Sequence, residues 1–401
     1  MLEKLSQHEV WLEFLDYKRA NELLDPAEEE ALADFIEERA YMPLASRIME
    51  ESFTFGIPER RELSKLGTAR KRVVYTFSHE ENMTLKLLSY LLYHYDDRLA
   101  PNCYAFRRKT GVRRAFTDLA RDPDISSFWC YKTDISNYFN SIDTTILSGI
   151  LCRMIDDDPS LLRLLLALIR DDRALWKGQV IREARGVMAG TPTSPFLANL
   201  YLAEIDFYFV RRQIRYARYS DDIILFDSYG KLMEHRAVLG QFLDQYRLVV
   251  NESKEQVIKP GHAWCFLGFQ YKQGEIDIAP ATVKKLMGRI RRAARSLRRW
   301  MLRREADPER ALNAFNRKFN AKFYGRSGHE LCWSRWFFPL LTTDASLRRI
   351  DTYMQQYQRY IVTGRHNKAS LATVPYAMLK QCGYRPLVSA YYRKPVRQEN
   401  D

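Results

Sequence analysis

The segment Tyr216-Ala217-Arg218-Tyr219-Ser220-Asp221-Asp222-Ile223-Ile224-Leu225-Phe226 constrains this chain more than any other. Two short β-like runs flank a tight turn, so the expected local structure is a hairpin with two adjacent carboxylates at its tip. A further carboxylate lies upstream. The apolar run Phe128–Tyr131 reads as a buried strand, and Asp134 falls at its end. Carboxylates placed this way suit phosphoryl transfer to a nucleotide, which uses two divalent metals about 3.5–4 Å apart. Magnesium takes oxygen ligands, typically one or two carboxylates plus substrate phosphates. Each residue alone also has a plain local reading. An Asp-Asp pair is expected about once by chance in a chain of this length. Aspartate is common in turns, and Asp134 suits the N-cap of a helix over 135–141. Order and context therefore carry the weight.

Around these residues the chain changes character in blocks. Residues 1–66 read as helical and acidic, with PAEEEALADFIEERA as the clearest helix. Pro26 suits a first turn, and the glutamates suit the positive end of the helix dipole. Residues 67–125 turn basic, with a β-like run at Val73–Phe77, a helical pattern at 81–95, and YAFRRKTGVRRAF. Over 126–272 apolar strands alternate with helices, the pattern of an α/β or α+β unit. The remainder, to about 395, reads as helical and tyrosine-rich, ending in a charged tail.

Within that remainder, 281–304 is one basic helix. Leu286, Ile290, Ala294, Leu297 and Met301 recur at spacings of four, four, three and four, an apolar stripe. Lys284, Arg291, Arg292, Arg295, Arg298 and Arg299 fall largely off it. The segment holds 10 Lys or Arg and no acid, a charge density that repels itself until phosphates relieve it. The natural role is to lie along a nucleic-acid duplex and read its backbone. The wider charge balance agrees. The chain carries +13, and its first 50 residues hold 13 acidic and 5 basic residues, a net of −8, which leaves +21 on the rest. A field of that sign attracts polyanions.

Composition excludes other classes. Hydrophobic residues are 46% of the 401 and charged residues 28%, an ordinary globular balance. No apolar run reaches the roughly 18 residues of a membrane span. The N-terminal segment is charged and mixed, unlike a signal peptide. The cysteines at 103, 130, 152, 265, 332 and 382 form no C-x-x-C pair, so reduced thiols in a cytoplasmic protein are expected.

Seven motifs in order then carry a resemblance. Tyr219-Ser220-Asp221-Asp222 is similar to the YxDD box of reverse transcriptases. Asp134 followed by Phe139 resembles their first palm motif, and GVMAGTPTSPFLANLYL (186–202) resembles the motif ending in SPxLAN. Asn251-Glu252-Ser253-Lys254 is similar to the lysine-bearing motif, and FLGF (266–269) to the primer-grip hairpin. RKRVVYTF (70–77) and YAFRRKTG (104–111) resemble the fingers motifs. The resemblance implies an α+β right hand. Residues 1–66 would be an N-terminal extension, 67–125 fingers, 126–272 palm, and 273–401 a helical thumb and C-terminal region.

The same resemblance assigns roles. Asp134, Ile135, Asp221 and Asp222 would hold two Mg²⁺ ions, with Mn²⁺ as an alternative. Lys254 would protonate or neutralise the leaving pyrophosphate. Phe139 would lie under the incoming sugar and clash with a ribose 2′-hydroxyl, favouring dNTPs. Lys71, Arg72, Arg107 and Gly190 would complete the dNTP site, and Phe266, Leu267 and Gly268 the primer grip. The pattern departs at Ala189-Gly190, where many members carry Gln-Gly. Alanine cannot hydrogen-bond nucleotide or template, which points to a specialised enzyme.

The C-terminal stretch YIVTGRHNKASLATVPYAMLKQCGYRPLVSAYYR resembles the tail of bacterial "unknown group" reverse transcriptases of anti-phage defence, whereas Val362-Thr363-Gly364 resembles a retron thumb motif. Both branches imply a structured non-coding RNA as template and partner, cDNA as product, no membrane, and an effector protein or homo-oligomer as further candidates. Three readings stand as alternatives: a retron-type or group II-like reverse transcriptase, untemplated or protein-primed synthesis, and a non-catalytic, maturase-like RNA-binding protein.

Overall fold

A computed structural model describes all residues except 22, 51, 65–70, 184, 326–331 and 394–401. Arg70 of the RKRVVYTF motif, the 66/67 boundary and the charged C-terminal tail therefore lie outside the described residues. The fold is mixed α+β, and it divides into two compact units, Met1–Gly261 and His262–Asp401.

The first unit opens with helices at His8–Ala20, Pro26–Glu37 and Met42–Ile48. Asp25 caps the second through a box with Glu28, and Pro26 occupies its first position. The acids face water while Trp11, Phe14, Phe35 and Tyr41 form the core, with the Trp11 and Tyr41 rings stacked at 4.9 Å. Among the described residues eight strands follow: β1 Glu59–Ser64, β2 Lys71–Thr76, β3 Trp129–Asp134, β4 Arg173–Trp176, β5 Gln179–Arg182, β6 Arg215–Tyr219, β7 Asp222–Asp227 and β8 Gln256–Ile258. They make two four-stranded sheets, ordered β2-β1-β4-β5 and β6-β7-β3-β8.

Strand β1 corrects the expectation that 1–66 is helical throughout. It runs antiparallel to β2, from Glu59↔Thr76 to Ser64↔Lys71. Its sequence, ERRELS, lacks the apolar alternation that betrays a strand. Ion pairs hold it instead: Arg60 with Glu62 (3.1 Å) and Glu183 (3.0 Å), and Lys71 with Glu62 (2.7 Å).

The second sheet is the scaffold of the site. β3 lies between β7 and β8, antiparallel to both. Ile223, Ile224, Leu225 and Phe226 are all fully buried, so both faces of β7 are covered, which explains its unbroken apolar run. Helix Tyr229–Gln245 packs on β3 and β7, and helix Val112–Ala120 on β6.

The second unit begins with a meander of β9 Trp264–Phe266, β10 Phe269–Lys272 and β11 Glu275–Ile278. The basic helix Pro280–Arg303 follows, then helices Pro308–Tyr324, Trp333–Phe337 and Ala345–Thr363 and three shorter ones ending at Tyr392. Val283, Leu286, Ile290, Ala294 and Met301 bury the apolar stripe of the basic helix. No helix among the described residues is long and apolar enough to cross a membrane.

Candidate active site

In the β6–β7 hairpin Tyr219 pairs with Asp222, which leaves Ser220-Asp221 as a two-residue turn. Ser220 takes a φ of 60°, the positive value that tight hairpins demand of their first turn residue. Asp134, the last residue of β3, stands directly opposite Asp222. The Ile135 N–H donates to the Asp221 carbonyl at 3.1 Å. Sheet register therefore brings Asp134, Asp221 and Asp222 to one end of the sheet, although the first two lie 87 positions apart in the chain.

Asp134 is 5% exposed. Its carboxylate accepts from the Lys254 ammonium at 2.7 Å and the Asn251 amide at 3.1 Å, and its carbonyl accepts from the Asn251 N–H at 2.7 Å. Lys254 sits on the 3₁₀ turn Glu252–Lys254, which leads into β8. Burial, then the charges of Asp134 and Asp222, push the Asp221 carboxyl up to about 6. Burial also raises Asp222. Like charges facing each other across a ladder are destabilising, and a cation among them reverses the effect.

The donor set is chemically fit for a hard divalent cation: three carboxylates and adjoining backbone carbonyls, all oxygen. Among the described residues no three His, Cys, Asp or Glu side chains are already gathered into a metal cluster. The Lys254 ammonium is the positive charge at Asp134 here.

The expected dNTP residues divide. Phe139 lies on the short helix Tyr138–Ser141 that follows β3. Its ring meets Phe106 edge-on at 6.3 Å, and Phe106 in turn lies 6.4 Å from Tyr219 of the β6–β7 hairpin. Phe106 is 42% exposed with a φ of 58°, an apolar ring held out in a strained backbone, and no local sequence signal distinguishes it within YAFRRKTG. Gly190 has a φ of 101°, and a Cβ there would come within 3.1 Å of Val74 and 3.3 Å of the Tyr75 carbonyl. The close approach is fixed by the Tyr75 N–H donating to the Ala189 carbonyl at 2.9 Å. Ala189 itself is buried, so a small side chain fits where many relatives carry glutamine. Lys71 and Arg72 are both exposed, but as neighbours on β2 they point to opposite faces, and Lys71 is paired with Glu62.

A family model described as Reverse transcriptase (RNA-dependent DNA polymerase) matches residues 65–271, about half of the chain. The chain belongs to the reverse transcriptase family. Members of that family are RNA-directed DNA polymerases, a class of nucleotidyltransferase. Solved structures similar to this reverse transcriptase chain include telomerases. Apo telomerase from Candida tropicalis, truncated from its C-terminal domain, is 13% identical with a TM-score of 0.45, over 56% of this chain and 55% of that one. Telomerase from Candida albicans in complex with a TWJ fragment of telomeric RNA is 13% identical with a TM-score of 0.45, over 87% and 65%. Apo telomerase from Candida tropicalis is 12% identical with a TM-score of 0.45, over 83% and 68%. The chain thus spans 55% of the first of these and 65% of the second. No curated protein matches it.

Arg107 of this reverse transcriptase is a correction to the expected triphosphate contacts. Its guanidinium donates to the carbonyls of Ala100 (2.7 Å), Cys103 (3.0 Å) and Asp96 (2.8 Å). Those bonds, made by its two Nη atoms, pin the loop that presents Phe106. A second arginine has the same kind of internal role. Arg218, on β6, is fully buried and bonded to Asp206, to Asn199 of the SPxLAN motif, and to the Ser220 carbonyl. Sequence reading missed Arg218, Asp206 and Asn251 as supports. For Arg218 the available signal was a charged residue inside a strand; Asp206, on helix Ala203–Arg211, and the uncharged Asn251 carried none.

In the second unit, Phe266 pairs with Phe269, so Leu267-Gly268 is a two-residue turn. Both residues have positive φ, 50° and 91°, as a type I′ turn requires. Phe266 and Phe269 are fully buried. On the basic helix Lys284, Arg291, Arg292, Arg295 and Arg299 are exposed. Arg298 departs from the expected phosphate-facing set. Its guanidinium donates to the carbonyls of Tyr360 (3.4 Å), Ile361 (3.1 Å) and Val362 (3.0 Å), at the C-terminal end of helix Ala345–Thr363. A cation there satisfies orphan carbonyls and the helix dipole.

Proposed function

We propose that this chain makes cDNA on an RNA template by two-metal phosphoryl transfer, with a dedicated structured non-coding RNA as template and partner, in bacterial anti-phage defence. The observation that carries the catalytic reading is the facing of Asp134 and Asp222 across β3 and β7, with Asp221 in the adjoining turn. A protein that only bound RNA would gain nothing from three carboxylates in a phosphate path. Their mutual repulsion makes sense where cations gather.

In this reading Asp134, Asp221 and Asp222, with the carbonyl next to Asp134 at Ile135, hold two Mg²⁺ ions. Ions held there would lower the pKa of the primer 3′-hydroxyl and neutralise charge on the triphosphate. Lys254 moves from Asp134 toward the leaving pyrophosphate. Phe139 lies beneath the sugar and excludes a 2′-hydroxyl, with Phe106 bracing its ring. Arg72 and Gly190 border the triphosphate, with Lys71 joining once released from Glu62. Residues 67–125 serve as fingers, 126–272 as palm and 273–401 as thumb. Phe266, Leu267 and Gly268 position the primer, and Lys284, Arg291, Arg292, Arg295 and Arg299 follow the duplex backbone. The defence role and cytoplasmic location rest on the C-terminal resemblance and the composition.

The test is primer extension with Mg²⁺ and dNTPs on RNA templates, alongside sequencing of nucleic acid that copurifies with the chain. Extension by the wild type and a recurrent bound RNA are expected. No incorporation on any RNA or DNA template, with either metal, would overturn the catalytic reading.

A further inference from the structure

The second unit contains a cavity of about 320 Å³ that none of the roles above uses. The basic helix lines it with Lys285 and Arg289, and helix Pro308–Tyr324 adds Lys322. Trp333 and Trp336, on the next helix, form the aromatic wall. The described lining holds three cations and no acid. Among the described residues, Lys285, Arg289 and Lys322 form no ion pair. Burial and the neighbouring Arg289 charge push the Lys322 ammonium below its usual range. Cations gathered in a half-enclosed site without a counter-charge among the described residues are poised for an anion.

The aromatic side narrows the choice of anion. Trp333 packs on Phe337 at 4.8 Å and Phe323 at 5.9 Å, which braces its ring. Trp336 is half-buried, lines the cavity, and packs against no aromatic ring among the described residues. Small-ligand sites run from about 300 to 1,000 Å³, so this one admits a single nucleotide and is far too small for a duplex. Free phosphate would leave the tryptophans idle, and an apolar ligand would leave the cations idle. A nucleotide uses both, by stacking on the rings and by charge-assisted hydrogen bonds to phosphate.

We propose that this pocket holds one unpaired nucleotide of a single-stranded nucleic acid, its base on Trp336 and Trp333 and its phosphate among Lys285, Arg289 and Lys322. The pocket borders the FLGF turn. A Cβ on Gly268 would meet Phe337 and Thr282 of the pocket wall, each at 3.7 Å. A strand that passes that turn therefore runs by the pocket mouth. The connection to primer or template placement rests on the polymerase reading, but the binding does not.

The full chain is titrated with short oligo(U), oligo(dT) and a blunt duplex, and oligo(U) carrying 4-thiouridine is photocrosslinked and the adducts mapped. Crosslinks at Trp333 or Trp336 are expected. Trp336→Ala should weaken single-strand binding about tenfold and leave duplex binding unchanged. Trp336→Phe should restore most of the affinity, which separates stacking from a folding defect. Lys322→Gln, a change at a side-chain tip, should weaken the same probes and flatten their salt dependence. RNA and DNA sources are separated by the two homopolymers. Crosslinks confined to the exposed arginine face with unchanged affinity in Trp336→Ala, or equal losses for duplex and single strand, would overturn the inference. Because binding is the readout, absence of primer extension would sink the polymerase reading alone.

Discussion

Arg218 and Asp206 form an ion pair from which water is fully excluded, each side chain being 0% exposed, with Nε–Oδ1 at 2.8 Å and Nη2–Oδ2 at 2.5 Å. The pair reaches the Ser220-Asp221 turn, because Nη1 of Arg218 donates to the Ser220 carbonyl at 3.1 Å. Tyr216 donates to the same Asp206 carboxylate at 2.8 Å. The Arg218 backbone bonds Asn102 and Tyr104, both at 3.0 Å, so the loop carrying Phe106 is fastened to the same point.

Breaking such a pair leaves a charge buried without a partner. Arg218→Met should cost about 3–5 kcal/mol of stability, measured by urea unfolding. Adding Asp206→Leu should restore most of that loss. Primer extension should stay low in the double variant, because the anchor on the Ser220 carbonyl is still missing. Full recovery of both would show that the pair serves folding only.

The Asp221 carboxyl gives a pH dependence of definite sign. Its folded value is about 6, against 3.8 in the unfolded chain. The folded state therefore binds more protons between those values, and stability falls as pH rises through that window. Asp221→Asn lacks this term. In metal-free buffer its advantage over wild type should grow from about pH 4 to pH 6, reaching as much as about 3 kcal/mol. Mg²⁺ should erase the advantage by stabilising the wild type. Thermal melts across pH, with and without the ion, check both parts. Asp221→Ala with Asp222→Ala should abolish extension without unfolding the chain.

Phe139→Ala should admit ribonucleotides, since it removes the ring expected under the sugar and the edge contact to Phe106. Single-nucleotide incorporation of rNTP against dNTP measures the ratio. An unchanged ratio with activity intact would place sugar selection elsewhere.

The arginines of the basic helix should separate into two kinds. Changing Arg291, Arg295 and Arg299 to Gln should lower affinity for template–primer regardless of sequence. The slope of log K against log salt should flatten by about two to three. Arg298→Gln should instead cost about 1.5–3 kcal/mol of stability through its lost carbonyl contacts and leave the slope alone. A flattened slope from Arg298→Gln alone would reverse this assignment.

Much of the fold was readable because the signals were local. The Ser220-Asp221 turn between apolar runs, the Leu267-Gly268 turn and the capped helix after Asp25 each depend on residues within a few positions of one another. The seven motifs in order carried the family. What tertiary structure alone decided was where charge goes. β1 is a strand because Glu183, 123 positions from Arg60, and Lys71 of the neighbouring strand neutralise its charges. Arg107 and Arg298 looked like free cations, but the backbone carbonyls that occupy them come from loops and helix ends whose position no local pattern encodes. Asp134 meets Asp222 through the register of β3 on β7, and Arg218 finds Asp206 across a buried interface. Hydrophobic period and turn chemistry are properties of neighbouring residues. Charge compensation and cavity shape belong to the assembled chain, where long-range contacts set the local dielectric and choose each polar group's partner.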